Sequence, residues 1–228
     1  MTTLLSTTYF GPVQWYQKLY RSEAVEIEQW ESFQKQTYRN RCLIATTNGV
    51  QALTVPVERH NVQSSMFNVQ YIKDIRISDH GNWQHLHWNA LQSAYGESPF
   101  LDYYQDDIRP FFEKRWTYLF DFNEEIRQKM CELVDIQPEV GYTKAYANHG
   151  DSPHDLRDAA ITGTVPMIRD VPMIRDFREG IRPKHPEPDV DFVPKPYYQV
   201  YQQKHGFLAN LSILDLLFNM GPESIFYL

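Results

Sequence analysis

The sequence predicts an α/β fold: a mixed β-sheet with packed helices, an N-terminal β-α-β unit followed by a β-hairpin, a helical second half and a long irregular loop. Three observations predict it. Val25 and Ile27 alternate with Glu26 and Glu28, the two-residue period of a half-buried strand. Two β-rich runs meet at Thr47-Asn48-Gly49, and Asn-Gly tolerates the positive φ values of a tight hairpin turn. Trp83, Leu86, His87, Ala90, Leu91 and Ala94 recur at spacings of three and four, the stripe of a helix packed on one face.

In chain order, Thr2 to Phe10 is rich in Thr, Leu, Tyr and Phe and reads as the first strand. Gly11-Pro12 breaks it, and Pro12 suits the first turn of a helix over Val13 to Tyr20. Ala24 to Glu28 then completes a β-α-β unit with room for a parallel pair. The hairpin runs from Arg41 to Thr46 and from Val50 to Val57, and Ile72 to Ile77 reads as a further strand. Asn82 is placed to cap the helix through Ala94, Ser98-Pro99 to start the next, and Asp121 and Glu124 have capping-box spacing before Ile126 to Val134. Residues 141–196 are rich in Pro, Asp, Arg and His, so within a single domain they read as a flexible loop or lid. That stretch carries a tandem duplication, Val165-Pro-Met-Ile-Arg-Asp170 followed by Val171-Pro-Met-Ile-Arg-Asp176, which exposed, pliable backbone accommodates most easily. Tyr197 to Tyr201 is expected as a strand and Ile213 to Asn219 as a buried helix capped by Ser212.

At 228 residues and a net charge of −7, the chain can bury a full core but lacks the broad basic surface that binds nucleic acid. Cys42 and Cys131 make neither a disulfide framework nor a zinc pattern. The amino terminus lacks a cationic region followed by an apolar run, and no segment approaches the roughly 20 apolar residues of a membrane span, so a cytoplasmic location is expected. Ten glycines and no glycine-rich fingerprint disfavour a phosphate-cradling loop, and no nucleophile elbow or metalloprotease helix occurs.

Against that acidic background, residues 33–41 concentrate cations and side-chain amides. If extended, they place Lys35, Thr37, Arg39 and Arg41 on one face and Gln34, Gln36, Tyr38 and Asn40 on the other. No acid lies between Glu31 and Glu58, so the face suits an anionic small molecule bearing phosphate or carboxylate; the alternative is a solvated edge strand. Gln14 beside Trp15, Tyr16 and Tyr20 offers a polar group on an aromatic helix that is either core or a pocket wall. His87 interrupts an apolar stripe, where burial tunes proton affinity for acid-base work or where a core histidine simply finds a partner. His85 and His87 point about 200° apart on a helix and make no metal pair. Cys42, without a histidine partner, reads as core.

Tyr9-Phe-Gly-Pro12, Phe33-Gln-Lys-Gln-Thr-Tyr-Arg-Asn-Arg41, Asn48-Gly49 and Leu53-Thr-Val-Pro-Val57 together resemble the WbqC-like protein family. The resemblance continues through Trp83, His87-Trp88, Tyr95, Ser98-Pro99-Phe100, Tyr198-Gln199, Gly206-Phe207 and Asn210 to Pro222. It implies a role in making or decorating a sugar for O-antigen or another surface polysaccharide, alongside other polysaccharide-biosynthesis enzymes, with the reaction and any cofactor unspecified. Many relatives carry His-Gln-Pro where this chain has Ser6-Thr7-Thr8, so His87 is the remaining motif-matched histidine. Asp176-Phe-Arg178 looks like a family feature, with Asp155-Leu-Arg157 in a competing register. The resulting expectation is an acyl or aminoacyl transferase acting on a nucleotide-linked amino sugar, with Lys35, Arg39 and Arg41 on the diphosphate, Asn40 and Gln14 orienting polar groups, and His87 moving the proton. The rival expectation is a noncatalytic ligand-binding or scaffold subunit of a polysaccharide-assembly complex.

Overall fold

Val25 and Ile27 turn inward and Glu26 outward along a strand, as their alternation requires. A computed structural model describes residues 1–58, 70–147 and 174–228. Strand β1 (Thr2–Ser6) is followed by helix α1 (Val13–Arg21) and strand β2 (Ala24–Glu28), which lies parallel to β1 with Ser6 opposite Glu28. Gly11 lets the chain turn between β1 and α1, because a Cβ there would lie 2.4 Å from Thr8 Oγ1. Strands β3 (Arg41–Thr46) and β4 (Gly49–Thr54) form the antiparallel hairpin, and Gly49 takes the expected positive φ at 100°.

Helices α2 (Trp83–Tyr95), α3 (Leu101–Ile108), α4 (Pro110–Glu113) and α5 (Leu119–Leu133) follow. Strands β5 (Val140–Tyr142) and β6 (Ile174–Asp176) then join the first two in a parallel sheet of order β5-β2-β1-β6. Helices α6 (Gln202–His205) and α7 (Ile213–Met220) close the chain, making seven α-helices among the described residues. The mixed α/β architecture is therefore a parallel sheet beside a separate hairpin, with α2 packed on β3 and α7 against α1, α3 and β3. One core unites Leu5, Tyr9, Trp15, Ile44, Phe122 and Leu217. Buried Asp215 on α7 accepts from Tyr95 on α2, Tyr197 and Gln199, at 2.8, 2.7 and 2.8 Å, fastening the carboxyl-terminal segment to the helices.

Several local expectations change. Residues 33–40 are not one extended strand: they run through turns, Gln36 at φ 62° breaks any strand, and only Arg41 enters β3, so the alternate side chains of 33–41 share no face. Ile72–Asp74 is a 3₁₀ turn, because Ile72, Ile75 and Ile77 are buried at spacings of three and two instead of a strict two. Tyr197 to Tyr201 is irregular, since Tyr197 and Gln199 spend their side chains on Asp215 without a neighbouring strand. Asn82 adopts a left-handed φ of 48° and makes no capping bond, whereas Ser212 does accept from the Leu214 N–H. Helix α5 begins at Leu119, before the expected box, which puts Asp121 in its first turn and frees Glu124 to pair with Arg127.

The expected 141–196 loop gives up two segments to the sheet, while residues 177–196 are irregular as expected. Gly141 and Tyr142 lie in β5, while Ile174, Arg175 and Asp176, the end of the second duplicated copy, form β6. The first copy and Val171-Pro-Met173 lie outside the described residues, as do Asp155-Leu-Arg157 and the rest of the supposed lid from 148 to 173.

Candidate functional site

A parallel sheet gathers its strand ends on one side, and ligands of such folds bind outside the carboxyl ends where the strand order reverses. Here the reversal falls at β1, with β2 on one side and β6 on the other. The residues that end these strands or follow them are Ser6, Glu28, Glu31, Asp176, Arg178 and Glu179.

Two buried ion-pair networks occupy that end. Glu28 is fully buried and accepts from Arg178 Nη1 at 3.0 Å, Thr143 Oγ1 at 2.7 Å, and the N–H groups of Trp30 and Ala147 at 2.8 and 3.1 Å. Arg178, also buried, grips the Asp176 carboxylate and donates to the Ala147 carbonyl at 2.8 Å. In the second network Arg39 holds Glu31 in a two-point pair at 2.7 and 2.5 Å and donates to Ser6 Oγ at 2.7 Å. Ser6 Oγ donates to Glu31 Oε2 at 3.1 Å, and Glu179 lies 3.5 Å from Arg39 and beside Arg182. Burying ionised groups is unfavourable unless every charge is paired, and at this sheet end the buried Glu28, Glu31, Arg39 and Arg178 all have charged partners.

Between the networks opens a cavity of about 450 Å³, with walls that include Trp30, Glu31, Tyr71, Tyr146, Arg178 and Glu179. Its volume lies in the range of roughly 300–1,000 Å³ common for small-molecule sites. Trp30 and Tyr71 meet edge to face at 5.5 Å, the Lys73 ammonium lies over the Trp30 ring at 3.1 Å, and the Arg178 guanidinium lies 4.9 Å from the centre of the Tyr146 ring. Rings with polar edges and carboxylates converge on one volume: the rings offer flat apolar faces, and the carboxylates accept from hydroxyl or amine groups. Two other cavities are plainer. One of about 310 Å³ lies across the Asp176–Gly180 turn, beside Gln14 and Asp189; one of about 370 Å³ lies between α4 and α5, where Lys129 pairs with half-exposed Asp107.

The residues singled out from the sequence do not converge. Lys35 is exposed next to Gln34 at the cavity rim, Arg39 is spent on Glu31, and Arg41 donates to Thr54 Oγ1 at 3.0 Å on the hairpin. The acids that neutralise Arg39 come from just before the basic stretch and from Glu179, far along the chain. Asn40 donates to the Val55 carbonyl at 2.9 Å, a structural bond. Gln14 bonds Asp189 and Asn210 at 2.8 and 3.0 Å in the neighbouring cavity. His87 is buried, its Nδ1 2.8 Å from the Tyr9 hydroxyl, and it lines none of the three cavities. Burial lowers its pKa from 6.5 to about 4, leaving a neutral imidazole near pH 7. Cys42 and Trp15 are core; burial pushes the Cys42 thiol well above its usual range.

The model of the WbqC-like protein family matches residues 7–227. The chain belongs to the WbqC-like family. It is also 30% identical over 205 residues to the uncharacterized protein Rv1507c of Mycobacterium tuberculosis strain H37Rv, covering 86% of this chain and 83% of that protein. No solved structure matches. Among the described residues no helix is long and apolar enough to cross a membrane. Of the features tied to the family by resemblance, Asp176-Phe-Arg178 contributes Arg178 to the cavity wall and the stretch from Phe33 to Arg41 contributes Gln34. Glu28 escaped sequence reading because an acid on an alternating strand looks solvated, and Glu31 because it follows that strand in an irregular segment. Their one signal was Trp30 between them, an aromatic that packs poorly in an exposed loop.

Proposed function

We propose that this WbqC-like chain is a cytoplasmic enzyme of surface-polysaccharide sugar biosynthesis that transfers an acyl or aminoacyl group to a nucleotide-linked amino sugar. The polysaccharide setting rests on the family resemblance. The observation that carries the sugar site is the cavity of about 450 Å³ at the sheet's carboxyl ends, where Trp30, Tyr71 and Tyr146 face Glu31 and Glu179. Stacking rings and hydrogen-bond acceptors are what a sugar's apolar face and hydroxyl edge require.

The charges of this cavity argue against a diphosphate inside it. Arg39 and Arg178 direct their guanidinium groups at Glu31, Glu28 and Asp176, so a phosphate would compete with buried carboxylates already in place. In this reading the sugar enters the cavity and the diphosphate stays at the rim, where Lys35 is exposed. The test is incubation with nucleotide sugars bearing free amines together with thioester and aminoacyl donors, with products weighed by mass spectrometry. A product heavier by one acyl group is expected. Absence of turnover across the panel, with sugar binding retained, would overturn the enzyme reading in favour of a noncatalytic binding subunit.

A further inference from the structure

Resting on that reading, we infer that the cavity rim holds an anion subsite for the diphosphate, built on Arg182 and Lys35, and that the Glu179 carboxylate occupies it until a phosphate takes its place. The other acids of this sheet end are fixed. Glu28 is wholly buried among its donors, Asp176 is gripped by Arg178, and Arg39 holds both oxygens of Glu31, whose side chain is only 6% exposed. Glu179 differs: its side chain is 28% exposed, it pairs with Arg182 three residues on, and its Oε1 accepts from the exposed Gln34 amide at 2.9 Å. Ion pairs with this much solvent around them hold weakly, so Glu179 is the carboxylate that an incoming anion can replace.

The cations beside it are not all committed. Nε and Nη2 form one edge of a guanidinium, the edge with which Arg39 holds Glu31 at two points. On Arg182 only Nη2 of that edge meets Glu179, and Nε is buried without a hydrogen-bond partner among the described residues. Lys35, next to Gln34, is exposed, and neither it nor Lys73, over the Trp30 ring, has an ion pair among the described residues. The positive charge left over at the rim suits a phosphate-bearing ligand.

A phosphate in place of the Glu179 carboxylate keeps the Nη2 contact, offers a second oxygen to Nε and a third to the Lys35 ammonium. One anion replaces another, so the exchange leaves no guanidinium unpaired. Glu179 stays on the cavity wall, and once released from Arg182 it accepts from a sugar hydroxyl. Until then it competes with the ligand, and the apparent anion affinity is scaled down by the fraction of time that the subsite stands vacant.

Calorimetry at one fixed ionic strength with pyrophosphate and uridine diphosphate, beside uncharged uridine and N-acetylglucosamine, tests the exchange. Glu179→Gln, which keeps the side chain's size, is expected to tighten both anions about fivefold or more and to leave the two uncharged compounds unchanged. Arg182→Gln is expected to weaken both anions, and in the double variant the gain should vanish, because the vacated guanidinium is what the anion uses. Unchanged or weaker anion binding in folded Glu179→Gln would overturn the subsite. So would a gain that survives in the double variant, the mark of a general surface field. N-acetylglucosamine binding that weakens in Tyr146→Ala, with no anion bound by Glu179→Gln, would overturn the subsite and leave the sugar site standing. The anion pattern without any sugar binding would uphold the subsite and overturn the sugar site.

Discussion

Burial holds the His87 imidazole neutral, and the consequence is a pH dependence of stability. Its proton affinity is depressed on folding, from 6.5 to about 4, so between those values the unfolded chain takes up a proton that the folded one refuses. Stability present above pH 6.5 is lost as pH falls through that window, by roughly 3 kcal/mol at its lower end. Urea denaturation at pH 7, 5.5 and 4 should show this loss in the parent chain and a shallower one in His87→Gln, which keeps a hydrogen-bonding side chain for the Tyr9 hydroxyl. Identical slopes would show that the imidazole titrates normally. Arg178 offers the opposite case, an ionised group that burial retains because its partners are complete. Arg178→Met leaves Glu28 buried and charged, which costs about 3–5 kcal/mol, and a combined Arg178→Met, Glu28→Gln chain should recover part of that loss by removing the stranded charge. A double variant no more stable than Arg178→Met would mean the cost is packing alone.

At the scale of elements, two glycines separate backbone strain from crowding. Gly49 in the hairpin has φ 100° and open space where a Cβ would stand, whereas Gly221 after α7 has φ 55° and would put a Cβ 2.6 Å from the Phe100 ring. Gly49→Ala is expected to cost about 1 kcal/mol and Gly221→Ala roughly 2–4 kcal/mol, because the second adds overpacking to the strained dihedral. Melting temperatures should order accordingly, at about 2–4 °C per kcal/mol for a chain of this size. Equal melting temperatures would show that the ring yields freely. The hairpin itself was legible because its signal is local: Asn48-Gly49 fixes the turn and the flanking β-branched runs fix the strands. Residues 33–41 were misread for the complementary reason. Charged residues at alternating positions mimic a strand, but the backbone there bonds outward, Tyr9 N–H to the Tyr38 carbonyl and Val55 N–H to the Asn40 carbonyl, and turns to do so.

At the scale of the whole molecule, the candidate site is assembled from segments that are remote in sequence. Ser6 and Arg178 are 172 positions apart, and Glu28 and Arg178 are 150 apart, yet they meet because β1, β2 and β6 run parallel and end together. The first strand pair could be anticipated from β-α-β spacing, but β6, only three residues long, carries no periodicity of its own. Its pairing with β1 is what brings Arg178 and Glu179 to the cavity. The functional tests follow the same logic: sugar binding should weaken in Tyr146→Ala, while His87→Gln should leave it unchanged.

The sequence alone determined the family, the α/β class, the β-α-β opening, the hairpin and the helical stripe. These depend on periodicity and turn chemistry between near neighbours, interactions that a linear chain displays directly. Tertiary structure decided which charges are free and which are spent. Arg39 looked unopposed along the chain and is neutralised by Glu31 and Glu179; Glu28 looked solvated and is wholly buried. An ion's role depends on what surrounds it in three dimensions, since desolvation and pairing act over a few ångströms of space without regard to sequence separation.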